Sequence, residues 1–365
     1  MILLNPGPVN LSPRVRASLT SPDLCHRESE FGDLQEDVRR SLLALYGLDL
    51  REWAPVLLCG SGTAAVEAML ASLVPPGGAL LVIDNGVYGA RMAEIARCHG
   101  IRHAVLRQEW GAPVDPEVLA RRLDEAPETS HVAVVHHETT TGRLNDLAAI
   151  ARLCRERHVA LLVDAVSSFG AEALEFSAWG VSACAGSANK CLHGAPGLSF
   201  VLVRRDALPP GGAGRGFYLD LARHLRAQDG RDTAFTPAVP LFYALREALH
   251  ELLEEGGWPA RHARYARLAA AVEDGLSRLG VEPLLRSGPR SVALRAYRLP
   301  QGLDYPALHD GLKRRRFVIY AGQGELSQSI FRVSTMGAIS AADLERFIAA
   351  VGEILDGAPS SGGSG

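Results

Sequence analysis

The chain has no strong charge of either sign, since 41 acidic residues nearly balance 38 basic ones among 365. No global field therefore points to nucleic acid or an anionic membrane as a partner. The most basic run, Lys313-Arg314-Arg315-Arg316, is short and leads into the apolar Phe317-Val318-Ile319-Tyr320, as a solvated helix end does. Long hydrophobic runs are also missing, and none approaches the ~20 residues that span a bilayer. The start, Met1-Ile2-Leu3-Leu4-Asn5-Pro6, has no basic region before its short apolar run, which argues against a signal peptide. Six scattered cysteines (Cys25, Cys59, Cys98, Cys154, Cys184, Cys191) form no C-x-x-C pair and no Cys/His cluster at metal-ligand spacing. Most sit in apolar stretches, so reduced, core-packed thiols in a cytoplasmic protein are expected. A P-loop is absent, a dinucleotide glycine fingerprint is begun at Gly60-Ser61-Gly62 but not completed, and there is no internal repeat.

What is present is an alternation of short apolar runs with helical patterns. Val56–Cys59, Leu80–Ile83, Val132–Val135, Ala160–Val163 and Leu198–Val203 read as strands. Between them, Thr63–Leu73, Ala90–Cys98 and about Leu147–Arg157 read as helices. Strands this continuously apolar are buried on both faces, which predicts an α/β fold with a mostly parallel central sheet. After about residue 240 the texture changes to helices at Leu241–Glu255 and Pro259–Leu279, strands at Ser291–Ala296 and Phe331–Ser334, and a helix at Ala341–Leu355. A smaller α+β domain is expected there. The division is 15–240 for a large domain, 1–14 with 241–356 for a small one, and 357–365 as a disordered Ser/Gly tail. Pro209–Gly214 reads as a flexible loop.

The candidate chemistry gathers at strand ends. Lys190 sits in Gly186-Ser187-Ala188-Asn189-Lys190-Cys191-Leu192-His193-Gly194, small residues walled by Cys, Leu and Phe. Partial desolvation there would lower the amine's pKa, as imine chemistry requires, although an isolated loop lysine would be exposed. Asp164 ends the strand Ala160–Val163, at the edge where α/β sheets bind ligands, although it could equally cap the next helix. Gly60-Ser61-Gly62-Thr63 follows a strand and opens a helix, so bare amides and two hydroxyls offer an anion site; a plain capped turn is the alternative. Tyr88, between glycines past another strand, could stack on a flat ring or serve as an ordinary core tyrosine. His136-His137-Glu138-Thr139-Thr140-Thr141-Gly142 brings a polar cluster to a further strand end, where Thr140 could hydrogen-bond a ring oxygen. Neighbouring histidines on an extended chain point apart, so no metal site is expected. All these groups fall on one predicted sheet edge. In order, they are the parts that a pyridoxal-phosphate enzyme needs.

With those residues in place, the sequence resembles the class V aminotransferases of pyridoxal-phosphate (PLP) fold type I, the aspartate-aminotransferase-like fold. Within them it is similar to the branch that transfers the amino group of 2-aminoethylphosphonate to pyruvate. The likeness is carried by Asn5-Pro6-Gly7-Pro8, Gly60–Ala68, Asn85–Met92, His137–Gly142, Val163–Gly170, Ser187–Cys191, Phe317–Tyr320 and Phe331-Arg332. It implies Lys190 as the Schiff-base lysine, Asp164 on the pyridine nitrogen and Tyr88 on the ring. Ser61, Gly62, Thr63 and Ser187 would surround the phosphate and ring, with Thr236 lent to a neighbouring subunit's phosphate in a homodimer. Arg332 would bind the substrate carboxylate, a bidentate task suited to a guanidinium. Partners would then be an amino donor and a keto-acid acceptor. Cys25–Phe31 looks more like the alanine–glyoxylate branch, so Arg27 would meet either a phosphonate or another anionic substrate. An alanine–glyoxylate or serine–pyruvate type transaminase, and a PLP lyase acting on a related aminophosphonate, therefore stand beside the first reading.

Overall fold

The computed structural model describes residues 1–209 and 213–357. Its centre is a seven-stranded sheet made of β1 (Trp53–Cys59), β2 (Ala79–Asp84), β3 (Arg102–Arg107), β4 (Thr129–Val135), β5 (Ala160–Asp164), β6 (Val181–Ser187) and β7 (Leu198–Arg204). The spatial order is β1-β7-β6-β5-β4-β2-β3. Only β7 runs against its neighbours, and the other pairings are parallel. Successive strand residues feed two separate cores: Leu81 and Ile83 join one apolar cluster, Leu80 and Val82 the other. Burial on both faces is what made these runs legible as strands.

Helices α1 (Gly62–Leu73) and α2 (Val87–Cys98) follow β1 and β2, and α3 (Leu147–Glu156) leads into β5. The Asp146 carboxylate accepts from Ala149 N at 3.1 Å and starts α3. Free strand groups on β1 are capped by side chains. Gln228 accepts from Leu57 N and donates to Leu57 O, while Arg39 Nε donates to Pro55 O. Proline is tolerated in such an edge strand because it need not donate to a ladder.

Two strands of the central sheet escape the sequence pattern. Strand β6 is Val-Ser-Ala-Cys-Ala-Gly-Ser, too small to read as an apolar run, yet it lies between β5 and β7. The Phe200 ring fills the space over Gly186, where an added Cβ would stand 2.3 Å from Phe200 Cζ. Strand β3 is the opposite edge, half exposed and too polar to signal itself.

A second, three-stranded antiparallel sheet, of order β8-β10-β9, is built from β8 (Leu294–Arg298), β9 (Tyr320–Ala321) and β10 (Ile330–Ser334). Helix α4 (Val239–Glu255) buries Phe242, Leu245, Leu249 and Leu252 in a core of the central sheet, whereas α5 (Gly257–Arg278), α6 (Tyr305–Arg314) and α7 (Ala341–Asp356) accompany the second sheet. The strand expected over Ser291–Ala296 starts three residues later. Ser291 Oγ and Val292 N both donate to Glu172 Oε1, at 2.7 and 3.0 Å, so this backbone is held by a carboxylate instead of a strand partner. Phe317–Tyr320 is split: Phe317-Val318 pairs with the N-terminal Ile2-Leu3, and only Tyr320 onward joins β10. Leu4 O then accepts from Ser334 N, which ties the chain's first residues to this unit.

Three of the six cysteines are buried, Cys59 is half-buried, and Cys25 and Cys98 are exposed, which corrects the expectation of mostly core-packed thiols. None is in a disulfide. Among the described residues no helix is long and apolar enough to cross a membrane. Residues 210–212 of the expected loop, and the tail from 358 onward, lie outside the described residues.

Candidate active site

Parallel strands deliver their C-terminal ends to one edge of the sheet, and a cavity of about 180 Å³ opens there. Its wall includes Ser61, Gly62 and Thr63 after β1, Tyr88 and Arg91 from α2, Asp164 and Val166 after β5, and Asn189 and Lys190 after β6. A larger open groove of about 750 Å³, beside Asp304, Arg314 and Glu353, brings no comparable set of groups together.

The anion end comes from the turn between β1 and α1. Ser61 stands at the helix N-cap in an extended conformation, but its hydroxyl caps nothing. The hydroxyl and the first amides of α1 are therefore free for a ligand. Gly62 is needed because Val166 packs onto it, with a Cβ there only 2.6 Å from Val166 Cγ1. Thr63 Oγ1 accepts from Arg91 Nη1 at 3.2 Å, and the same guanidinium lies 4.7 Å from the centre of the Tyr88 ring.

At the other end, burial sets the electrostatics. Asp164, 6 % exposed, keeps one hydrogen bond at 2.9 Å from Val166 N, and desolvation pushes its carboxyl up to about 6. Lys190 is half-buried, and desolvation draws its amine down to about 8, with the nearby positive charge of Arg332 acting in the same direction. Lys190 Nζ donates to Pro6 O, so the N-terminal segment crosses directly over the lysine. A Cβ on Gly7 would come 2.9 Å from Lys190 Cδ.

Arg332 on β10 is 1 % exposed. Its Nε donates to Ala321 O at 2.9 Å, and its Nη1 donates to Thr139 O at 3.0 Å and Gln323 Oε1 at 3.1 Å. No carboxylate lies in ion-pair range of it among the described residues. A dry guanidinium held only by neutral acceptors is set up to receive an anion.

Five of the anticipated residues stand apart from this cavity. Ser187 is 2 % exposed, and its hydroxyl donates to Asn189 Oδ1 at 2.6 Å, behind the cavity wall. Thr236 is exposed and lies away from the cavity of its own chain. Arg27 is solvent-exposed and faces Asp232 at 3.5 Å. Arg332 approaches from the second sheet, outside the cavity's immediate lining. Thr140 is fully buried: its hydroxyl donates to Glu138 Oε1 at 2.7 Å and accepts from Val87 N at 3.1 Å. That hydroxyl is thus engaged by Glu138 and the start of α2. Arg91 and Glu138 were not anticipated. Arg91 had a signal, since it stands three positions after Tyr88 on a helix and so shares its face.

These groups suit pyridoxal phosphate by their chemistry. An amine whose charged form burial disfavours, a dry carboxylate, a free helix N-terminus and an aromatic wall meet around one cavity.

Comparison with known proteins agrees. Residues 14–295 match the family described as Aminotransferase class-V. A 2-aminoethylphosphonate–pyruvate transaminase of Aeromonas hydrophila is 38% identical over 361 residues, covering 96% of this chain and 94% of that protein. The protein of the same name from Syntrophobacter fumaroxidans is 37% identical over 360 residues, covering 97% and 96%. Among solved structures, an aspartate aminotransferase of subgroup IV from Thermus thermophilus matches with a TM-score of 0.89 at 32% identity, covering 98% of this chain and 100% of that one. An alanine–glyoxylate aminotransferase from Nostoc sp. matches with a TM-score of 0.91 at 28% identity, covering 97% and 95%. The chain belongs to the class V aminotransferases. It is a PLP-dependent aminotransferase of fold type I.

Proposed function

We propose that this enzyme moves the amino group of 2-aminoethylphosphonate to pyruvate, giving phosphonoacetaldehyde and alanine, as part of cytoplasmic phosphonate metabolism. The observation that carries the substrate is the likeness, over nearly the full length of both chains, to the phosphonate transaminases of A. hydrophila and S. fumaroxidans.

In this reading Lys190 holds the cofactor through Nζ, and Ser61, Gly62 and Thr63 hold its phosphate, with Ser187 bracing the wall through Asn189. Tyr88 supports one face of the ring, and Asp164 faces its nitrogen. When bound, pyridoxal phosphate supplies the carbonyl that condenses with the amino donor and the ring that accepts the released electron pair. Lys190 Nζ, freed when the donor's amine takes its place on the cofactor and drawn down to about 8 by burial, would take the proton from the donor's amino-bearing carbon. Asp164 is costly to hold as a bare anion in its dry setting, and a protonated ring nitrogen offsets that cost. Arg332 binds the carboxylate of the keto acid, supported by its burial without an ion partner. Arg27 stands at the surface for an incoming anion, and exposed Thr236 reaches a partner's phosphate in a homodimer.

Residues 15–240 form the large cofactor-binding domain and 1–14 with 241–356 the small one. A separate apolar cluster supports the small domain, because it joins Leu4 to residues from Leu268 to Val351, while Phe242 to Leu252 bridge to the large domain's core.

The test is an amino-donor panel with pyruvate, comparing 2-aminoethylphosphonate with alanine and serine. Good turnover of alanine or serine with none of the phosphonate would replace the substrate with that of an alanine–glyoxylate or serine–pyruvate type enzyme. Ammonia release without any keto acid would mark a lyase.

A further inference from the structure

We propose that Glu138 is a positioning residue that fixes the aromatic wall against which the cofactor ring rests and steadies the substrate arginine behind it. The inference rests on the reading of Tyr88 as the ring's support.

Glu138 follows β4, and its side chain is fully buried. Oε2 accepts from Tyr88 N at 3.1 Å and Gly89 N at 3.4 Å. Oε1 accepts from Thr140 N at 3.0 Å and Thr140 Oγ1 at 2.7 Å. Helix α2 begins at Gly86 without a capping side chain of its own. The carboxylate of a neighbouring strand end therefore caps the helix that carries Tyr88 and Arg91, where an anion is favoured by the exposed amides.

Gly86 belongs to the same arrangement. Its φ of 171° is extended backbone that any residue adopts, so conformation does not demand glycine there. Space does: a Cβ would stand 2.4 Å from Cγ and Cδ of Glu138. On the other side, the carbonyl of the next residue, Thr139, receives Arg332 Nη1. Glu138 is also the carboxylate whose charge favours the ionised guanidinium of Arg332. Burial raises the Glu138 pKa, while its four donors pull it back down.

An amide cannot replace this carboxylate. Each oxygen receives two donors, so a glutamine would turn its own N–H groups toward the Tyr88 and Gly89 amides or toward the Thr140 amide. Glu138→Gln and Gly86→Ala disturb the same carboxylate, one by charge and one by contact. Both are expected to weaken PLP binding to the apoenzyme by roughly tenfold or more, measured by fluorescence titration. Both are also expected to change the visible circular dichroism of the loaded enzyme and to raise KM for pyruvate.

Tyr88→Ala tests the underlying reading, and Glu172→Gln supplies a buried carboxylate outside the cavity, expected to lower Tm without moving the cofactor signals. If Tyr88→Ala leaves affinity and dichroism unchanged, the stacking assignment itself fails. If Tyr88→Ala changes them while Glu138→Gln and Gly86→Ala bind as the parent does, the role of Glu138 is overturned. If Glu138→Gln does not fold, Gly86→Ala decides. Failure of both to fold, or affinity losses that only track lost Tm as in Glu172→Gln, would make Glu138 a fold residue and end the proposal.

Discussion

Replacing Asp164 by Asn should make the apoenzyme more stable and the enzyme far less active. Burial moves this carboxyl from 3.8 to about 6. Each pH unit of such a displacement corresponds to about 1.4 kcal/mol, so ionised Asp164 costs the folded apoenzyme about 3 kcal/mol above pH 6. Because the folded-state pKa is raised, the penalty is complete above about 6 and disappears as pH falls toward 3.8. An asparagine carries no such penalty and can still accept from Val166 N through its Oδ1. At pH 7.5 the apo variant should therefore melt on the order of 5 °C above the parent, and near pH 4 the gap should close. Activity should fall about 10²–10³-fold, as when a preorganised charge is removed from a dry site. Differential scanning fluorimetry of the apoproteins at both pH values, with kcat on the loaded enzymes, checks both halves. A variant that melts lower at pH 7.5, or keeps kcat within about threefold, would refute the reasoning about this desolvated carboxylate.

Arg332→Lys keeps the charge, but one ammonium cannot meet Ala321 O, Thr139 O and Gln323 Oε1 and still face a carboxylate. KM for pyruvate should rise roughly tenfold or more with PLP affinity unchanged, and the reverse pattern would move Arg332 out of the substrate site. Glu172→Gln should cost about 1–3 kcal/mol in urea unfolding, because the carboxylate holds Ser291 Oγ, Val292 N and His262. The lowered pKa of Glu172 gives stability that is lost on acidification, and the raised pKa of His262 gives stability that is lost on going alkaline. The gap from the parent should therefore be widest between the ordinary values, 4.5 and 6.5, and a pH-independent gap would separate the two groups. Gly186→Ala places a Cβ 2.3 Å from the buried Phe200 ring and should lose about 1–3 kcal/mol by overpacking. An unchanged unfolding midpoint would mean that the ring can swing aside.

Leu80–Ile83 and Val132–Val135 could be read as strands because burial on both faces leaves no polar position to blur the pattern. Val181–Ser187 is hidden because its residues are small, and at Gly186 the Phe200 ring occupies the space a side chain would need. Ser61, Thr63, Tyr88, Asp164 and Lys190 were legible as a set because parallel strands end on one edge, so order along the chain becomes proximity in space. The hydroxyl bond from Thr140 to Glu138, a carboxylate two residues away, is a contact that the sequence pattern does not reveal. Glu138 stands in the polar cluster at a strand end, but nothing in the sequence pattern gives it a role. Its partners, the amides of Tyr88 and Gly89, lie about fifty positions earlier, and only the fold brings them within reach.

The crossing of Pro6 over Lys190 also bears on the order in which the site is assembled during folding. Ile2 and Leu3 pair with Phe317 and Val318, and Leu4 is held by Ser334. Residues Ile2–Leu4 thus wait for a seat made far later in the sequence, whereas the central sheet is complete by Arg204. Such distant pairings close late because the loop entropy must be overcome first. A nascent chain stopped short of Ser334 would carry the cofactor lysine on a finished sheet with its N-terminal cover still adrift. The cover over Lys190 is in this sense held from Phe317 to Ser334, not from the sheet that the lysine follows.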